Sequence, residues 1–311
     1  MNPPTAEQMA QAWDDPKLAN VLYHDWEAQT YDEKWSISFD ERCIAYARDR
    51  FANVAGDDGW PYESALELGC GTGFFLLNLK LAGILDEGHV TDLSSGMVEV
   101  AKRNGAALGF ELEGRVADAE TLPYDDDTFD LVIGHAVLHH IPDLDQAMRE
   151  VLRVLKPGGR FVFAGEPTAK GDFIARKLSG WTWAAAKRIT HMPGLRDKYA
   201  LAEAELDESS RAAALEYVVD IHTFDPAELR RLCVRAGAID VSTVTEELTA
   251  SWFGWPIRTV EAAVKPGSLG FNWFRFAYRG WLTLSALDEH VMRRIVPAQY
   301  FYNVSVTGLK A

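Results

Sequence analysis

Between residues 64 and 165 the chain alternates short apolar runs with stretches in which apolar residues recur every three or four positions. Residues 64–68 read as a first strand, and 74–82 as the helix that follows. Residues 89–93 are a second strand ending at Asp92, and Ser94 suits the cap of a helix over 97–108. Residues 114–117 form a short third strand ending at Asp118. The run 129–134 is almost wholly apolar, as in a strand buried on both faces. Leu144, Ala147, Met148, Val151, Leu152 and Leu155 then repeat at helical spacing, with Asp145, Gln146, Arg149, Glu150 and Arg153 opposite. Pro157-Gly158-Gly159 stops that helix, and 160–164 is a fifth strand. This alternation predicts an α/β fold built on a doubly wound, mostly parallel sheet.

Beyond it, Asp225-Pro226-Ala227-Glu228 is a helix start: an Asp cap, Pro at the first position, Glu three residues after the cap. Leu229, Leu232, Cys233 and Ala236 give that helix an apolar face, and Gly237 ends it. Residues 239–244 read as a sixth strand and 300–309 as a last one. Residues 1–60 are helical in pattern and aromatic, with Trp13, Tyr23, Trp26, Tyr31, Trp35 and Phe39. The expected division is a helical cap or lid over 1–60 and one domain over 61–311. Within the latter, 61–166 is the core, 167–223 an insertion, 224–247 a helix and strand, 248–297 a second insertion and 298–311 the last strand.

Charge narrows the partners. Of 311 residues, 31 are Lys or Arg and 46 are Asp or Glu, a net charge of −15. Such a chain repels polyphosphate, so nucleic acid is not the expected partner. The three cysteines, Cys43, Cys70 and Cys233, are far apart and form no C-x-x-C pair, which fits a reducing compartment. The start of the chain lacks a basic region followed by an apolar run, and no long charge-free apolar stretch follows. A cytoplasmic location without a spanning helix is expected.

The candidate chemistry lies at the strand ends. Residues 65–74, ALELGCGTGF, place glycines at 69, 71 and 73 between a strand and a helix. Glycine lets the backbone turn tightly against a ligand, and the helix start directs free N–H groups at it. Asp92 follows at the end of the second strand in DLSSGM, and Asp118-Ala119 ends the third in RVADAETLPYDDDTFD. LVIGHAVLHHIPD and LKPGG complete the series. Taken together, these motifs resemble class I S-adenosylmethionine-dependent methyltransferases, in the small-molecule branch that includes the ubiquinone/menaquinone-biosynthesis type.

The resemblance implies a Rossmann-like seven-stranded sheet whose last strand is inserted antiparallel beside the sixth, with helical insertions after strands five and six. It implies S-adenosylmethionine as cofactor and S-adenosylhomocysteine as product. It also implies that Glu67, Gly69, Cys70, Gly71 and Gly73 hold the methionine end. Asp92 with Leu93 is then at the ribose, Met97 beside the adenosine, and Asp118 with Ala119 at the adenine. His135 is near the cofactor's amino acid end, and Tyr31 opens YDEKW, which resembles the amino-terminal helix that related enzymes close over the cofactor.

Methyl transfer needs a nucleophile in line with the S–CH₃ bond, and a neutral hydroxyl also needs a base. His139 and His140 are the candidates, His140 favoured, with Glu166 just after the fifth strand orienting it from the same rim. No metal site is expected. Six tryptophans between 181 and 281 suggest an apolar, lipid-like acceptor, and Phe274, Ala277, Tyr278, Trp281, Leu282 and Ser285 share one helical face. That face could pack as a lid or rest on a membrane. Transfer to oxygen is the leading expectation. Carbon methylation of a quinone- or sterol-like ring is the alternative within the fold. A nicotinamide-dependent oxidoreductase and a non-catalytic binding module are the alternatives outside it.

Overall fold

The computed structural model describes residues 4–57, 59–201 and 218–311. Seven strands form one sheet: β1 (Tyr62–Leu68), β2 (Leu85–Asp92), β3 (Glu113–Val116), β4 (Phe129–His135), β5 (Leu155–Pro167), β6 (Ile239–Glu246) and β7 (Asn303–Leu309). Their order is β3-β2-β1-β4-β5-β7-β6. The first five run parallel. β7 lies between β5 and β6, antiparallel to both. This is the Rossmann-like arrangement that the motifs imply.

The apolar runs are continuous because both faces of the sheet are covered. Leu66, Leu68, Val132, Phe161 and Phe163 face a core with Met148 and Val151 of α7 (Leu144–Val154) and Leu229 of α10 (Pro226–Ala236). The alternate residues Ala65, Leu131, Ile133 and Val162 face a second core. That core holds Phe51 of α4 (Glu41–Ala55) with Phe75, Leu76 and Leu79 of α5 (Phe74–Leu81). The caps form as their residue types dictate. Ser94 accepts from the Met97 N–H at the start of α6 (Ser95–Ala107). Asp143 accepts from Gln146, and Asp225 from Ala227 and Glu228.

Three strands begin well away from where the pattern places them. β2 begins at Leu85, because the exposed Asp86 and Glu87 carry no apolar signal although the backbone already pairs with β1. β5 begins at Leu155: Pro157-Gly158-Gly159 end the helix but not the ladder. β7 begins at Asn303, after a single 3-10 turn over Ala298–Tyr300.

Three further helices precede α4: α1 (Ala6–Ala12), α2 (Pro16–Glu27) and α3 (Tyr31–Trp35). After β5 come α8 (Ala169–Thr190) and the short α9 (Arg196–Tyr199). After β6 come α11 (Thr249–Ala262) and α12 (Phe271–Leu287), packed together and, through α11, on α8. Part of the first expected insertion, residues 202–217, lies outside the described residues. Among the described residues, no helix is long and apolar enough to cross a membrane.

Candidate functional site

A cavity of about 1130 Å³ opens at the carboxyl ends of β1, β2, β4 and β5, where ligands sit in open parallel sheets. The loop after β1 forms its floor. Gly69 has φ +57°, and a Cβ there would lie 2.2 Å from Val137. Gly71 has φ +50°, yet a Cβ there would meet nothing within 4 Å. Gly69 is therefore required by packing, and Gly71 leaves room for a ligand to approach the backbone. Gly73 caps α5 from the left-handed region and does not line the cavity.

Asp92 is 8% exposed. Its carboxylate accepts from the N–H groups of Gly71 and Ser94, both at 2.9 Å. Burial pushes its pKa up to about 6 against those hydrogen bonds. Glu67 is buried, accepts from the Leu76 N–H, and is raised well above the ordinary range by burial. Cys70, Leu93, Ala119 and Tyr31 line the cavity. Met97 does not: it is fully buried, in a cluster with Ala28, Val100 and Tyr31. Asp118 lines the cavity too, but it is paired: Lys17 of α2 reaches both Asp118 and Glu120 at 2.6 Å.

His135, the last residue of β4, packs against Phe74, Phe75 and Tyr46. Burial, then the charges of Arg50 and His139, lower its pKa to about 3. Arg50 is buried over the Tyr46 ring and bonds Glu246 and Glu247, which ties α4 to the end of β6.

His139 and His140 lie in a 3-10 turn, Leu138–His140, with ring centroids 3.8 Å apart. Both line the cavity. Glu166 departs from expectation. It is within β5, fully buried and off the cavity surface, beside a register shift between Phe163 and Glu166. Its carboxylate accepts from the N–H groups of Val137, Leu138 and His139, and meets His139 Nδ1 at 2.8 Å. Glu166 thus orients His139, not His140. Burial lowers the His139 pKa, but the Glu166 hydrogen bond and charge, then Asp220, raise it above the ordinary value.

His140 finds a different partner. Its Nδ1 lies 2.8 Å from the Val219 carbonyl, which can only accept, so Nδ1 carries the proton and Nε2 the lone pair. Burial, then His139 and His24, lower its pKa well below the ordinary value, so the ring is neutral at pH 7. Asp220 stands 3.7 Å from His139 Nε2 and 3.6 Å from His140 Nδ1. Pattern reading misses Val219 and Asp220, because they lie some 80 residues on, in an insertion without periodicity.

His139, His140 and Asp220 are also the one set among the described residues close enough to share a metal ion. Arg176 stands 3.5 Å from Asp220, and His140 Nδ1 is spent on Val219, which fits a hydrogen-bonded ion cluster better than a ligand set.

The apolar wall is narrower than six tryptophans suggest. Trp255 and Trp281 line the cavity, joined by Trp35 of α3. Trp181 and Trp252 are exposed, and Trp273 Nε1 donates to Glu261. On α12, Ala277, Tyr278, Trp281, Leu282 and Ser285 face the cavity, while Phe274 is 52% exposed.

Residues 66–163 match the family model of a methyltransferase domain. The chain is 30% identical over 230 residues to 27-O-demethylrifamycin SV methyltransferase of Amycolatopsis mediterranei, covering 70% of this chain and 76% of that one. It belongs to the class I S-adenosylmethionine-dependent methyltransferases. A ubiquinone/menaquinone biosynthesis C-methyltransferase of Vibrio campbellii is 38% identical over 108 residues, 33% of the methyltransferase and 40% of the relative. In three dimensions, phosphoethanolamine N-methyltransferase 2 of Haemonchus contortus, solved with S-adenosyl-L-methionine, has a TM-score of 0.50 at 14% identity, covering 86% of the methyltransferase and 52% of that chain. The methyltransferase uses S-adenosylmethionine and belongs to the small-molecule branch, which sets aside the oxidoreductase and non-catalytic readings.

Proposed function

We propose that this methyltransferase transfers its methyl group to a ring carbon of an apolar, hydroxyl-bearing, quinol-like acceptor, with His140 as the base. The neutral His140 ring with its lone pair on Nε2 carries the reading. The acceptor O–H bond breaks and its proton goes to Nε2. The electron pair left behind would delocalise into the ring, whose carbon would take the methyl group that bound S-adenosylmethionine supplies, with S-adenosylhomocysteine left as product. Trp35, Trp255 and Trp281 supply the apolar wall and exclude water. Carbon takes precedence over the expected oxygen because the Vibrio relative, at the higher identity, is by name a C-methyltransferase. Transfer to oxygen is the second reading, favoured by the Amycolatopsis relative that matches over the longer stretch. Both use the same base.

The cofactor residues fit the group. The cradle at Gly69, Cys70 and Gly71, with Glu67 beneath and Gly73 setting the helix start, suits the methionine end, near His135. Asp92 would accept from the ribose hydroxyls, with Leu93 alongside. Asp118 and Ala119 would border the adenine, where Lys17 already holds Asp118. Met97 would support the adenosine only from below, and Tyr31 would close from α3. The test has two steps. Calorimetry with S-adenosylmethionine, S-adenosylhomocysteine and NAD should show binding of the first two alone. Turnover of a phenol and quinol panel with ¹³C-methyl cofactor should then give a C-methyl rather than a methoxy carbon signal. Methoxy products only would establish the second reading.

A further inference from the structure

We propose that Asp220 is a positioning residue for the base: with Glu166 it clamps His139 through both ring nitrogens, while the adjoining Val219 carbonyl fixes which nitrogen of His140 can take a proton. This rests on the reading of His140 as the base.

The segment that carries both groups is fastened onto the histidine turn. The N–H groups of Ile221 and His222 both donate to the His139 carbonyl, at 3.0 and 3.1 Å. His222 Nε2 lies 3.0 Å from the Ile141 carbonyl. The backbone of 219–222 is therefore held in register with 139–141, and the His140 tautomer is set from the insertion rather than from the core of the fold. The core alone would leave both His140 nitrogens open.

The charges explain why two carboxylates are needed. Facing His139 are Glu166 from β5, Asp220 from the insertion and Asp172 from α8, together with His140 beside it, His24 from α2 and His135 from the end of β4. Facing Asp220 are His139, His140 and Arg176, with Asp172 and Glu166 behind. Facing His140 are His139, His24 and Asp220. Glu166 at Nδ1 and Asp220 at Nε2 both favour the imidazolium form of His139 against its burial. Burial first, and then that positive charge beside the His140 ring, keep His140 unprotonated and ready to act as a base. Removing Asp220 weakens the His139 charge.

The experiment needs no acceptor. The His139 and His140 ring resonances of ¹⁵N-histidine-labelled full-length protein are assigned with His139→Gln and His140→Gln variants, then titrated in the wild type, Asp220→Asn and Asp220→Glu. The expected result is a His139 midpoint above that of free histidine in the wild type, lower by at least about one pH unit in Asp220→Asn and largely restored in Asp220→Glu. The His140 nitrogens should show Nδ1–H in the wild type. Melting curves establish that each variant is folded. An identical His139 midpoint in folded Asp220→Asn, or an Nε2–H tautomer at His140, overturns the inference. Full turnover by His140→Gln would instead remove the base reading and leave the titration result standing.

Discussion

His139 Nδ1 meets the Glu166 carboxylate at 2.8 Å, and no part of Glu166 reaches the cavity. The same carboxylate accepts three backbone N–H groups of the 137–139 turn. One buried acid therefore shapes the turn and sets the charge of the ring it presents.

Replacing Glu166 with Gln keeps the volume but puts an amide NH₂ where N–H donors converge. Leaving buried donors unmet costs about 1–3 kcal/mol. The folded pKa of His139 lies above its unfolded value. The stability of the pair is therefore fully present below about pH 6.5 and lost as pH rises through the folded pKa. Melting temperatures of wild type and Glu166→Gln should differ most below that pH, and the gap should narrow without closing as pH rises through the folded pKa, because the unmet backbone donors remain. A gap that is constant with pH would mean that His139 is not charged in the folded protein.

Asp92 makes cofactor affinity depend on pH. Its folded pKa is raised to about 6, so below that value it is protonated and accepts less well. S-adenosylhomocysteine affinity should fall as pH drops through 6 and be level above it. Asp92→Ala should weaken binding by about 1–3 kcal/mol and flatten the acid dependence. Calorimetry across pH 5–8 measures both, and unchanged affinity in the folded variant would remove the ribose assignment.

Gly69 and Gly71 should behave differently although both sit at positive φ. Alanine at either costs about 1–2 kcal/mol for the left-handed backbone. At Gly69 the new methyl also collides with Val137, so Gly69→Ala should lose clearly more stability than Gly71→Ala in denaturant unfolding. At Gly71 the methyl points into open space, so the protein stays folded and the loss appears in cofactor binding instead. Equal stability losses would contradict the packing at Val137.

The sheet is legible in the sequence because burial on both faces leaves continuous apolar runs at 129–134 and 160–164. Asp92 is legible because it ends such a run. What pattern reading places wrongly is what long-range packing decides. It puts Glu166 on the rim, but the residue is buried under the 137–139 turn, a contact between positions 27 to 29 apart. It gives Asp118 to the adenine and does not see Lys17, which reaches it from across 101 residues. Val219 and Asp220 carry no local signal, since a carbonyl and a lone carboxylate in an unpatterned insertion gain meaning only from the rings above them.

The two histidines divide the work, and substitution should separate them. His140 carries the lone pair, so His140→Gln should slow turnover by about 10²–10⁴ with S-adenosylhomocysteine affinity unchanged, because that ring is not among the groups assigned to the cofactor. His139→Gln removes a neighbouring charge and not the lone pair. Its turnover should persist at high pH and fall earlier on the acid side, because the His140 pKa rises once its charged neighbour is gone. The double replacement should resemble His140→Gln alone, as two residues acting through one proton transfer are not additive. Steady-state rates from pH 5 to 9 on any acceptor turned over in the panel test this. An acid limb in His139→Gln identical to that of the wild type would show that the two rings do not communicate.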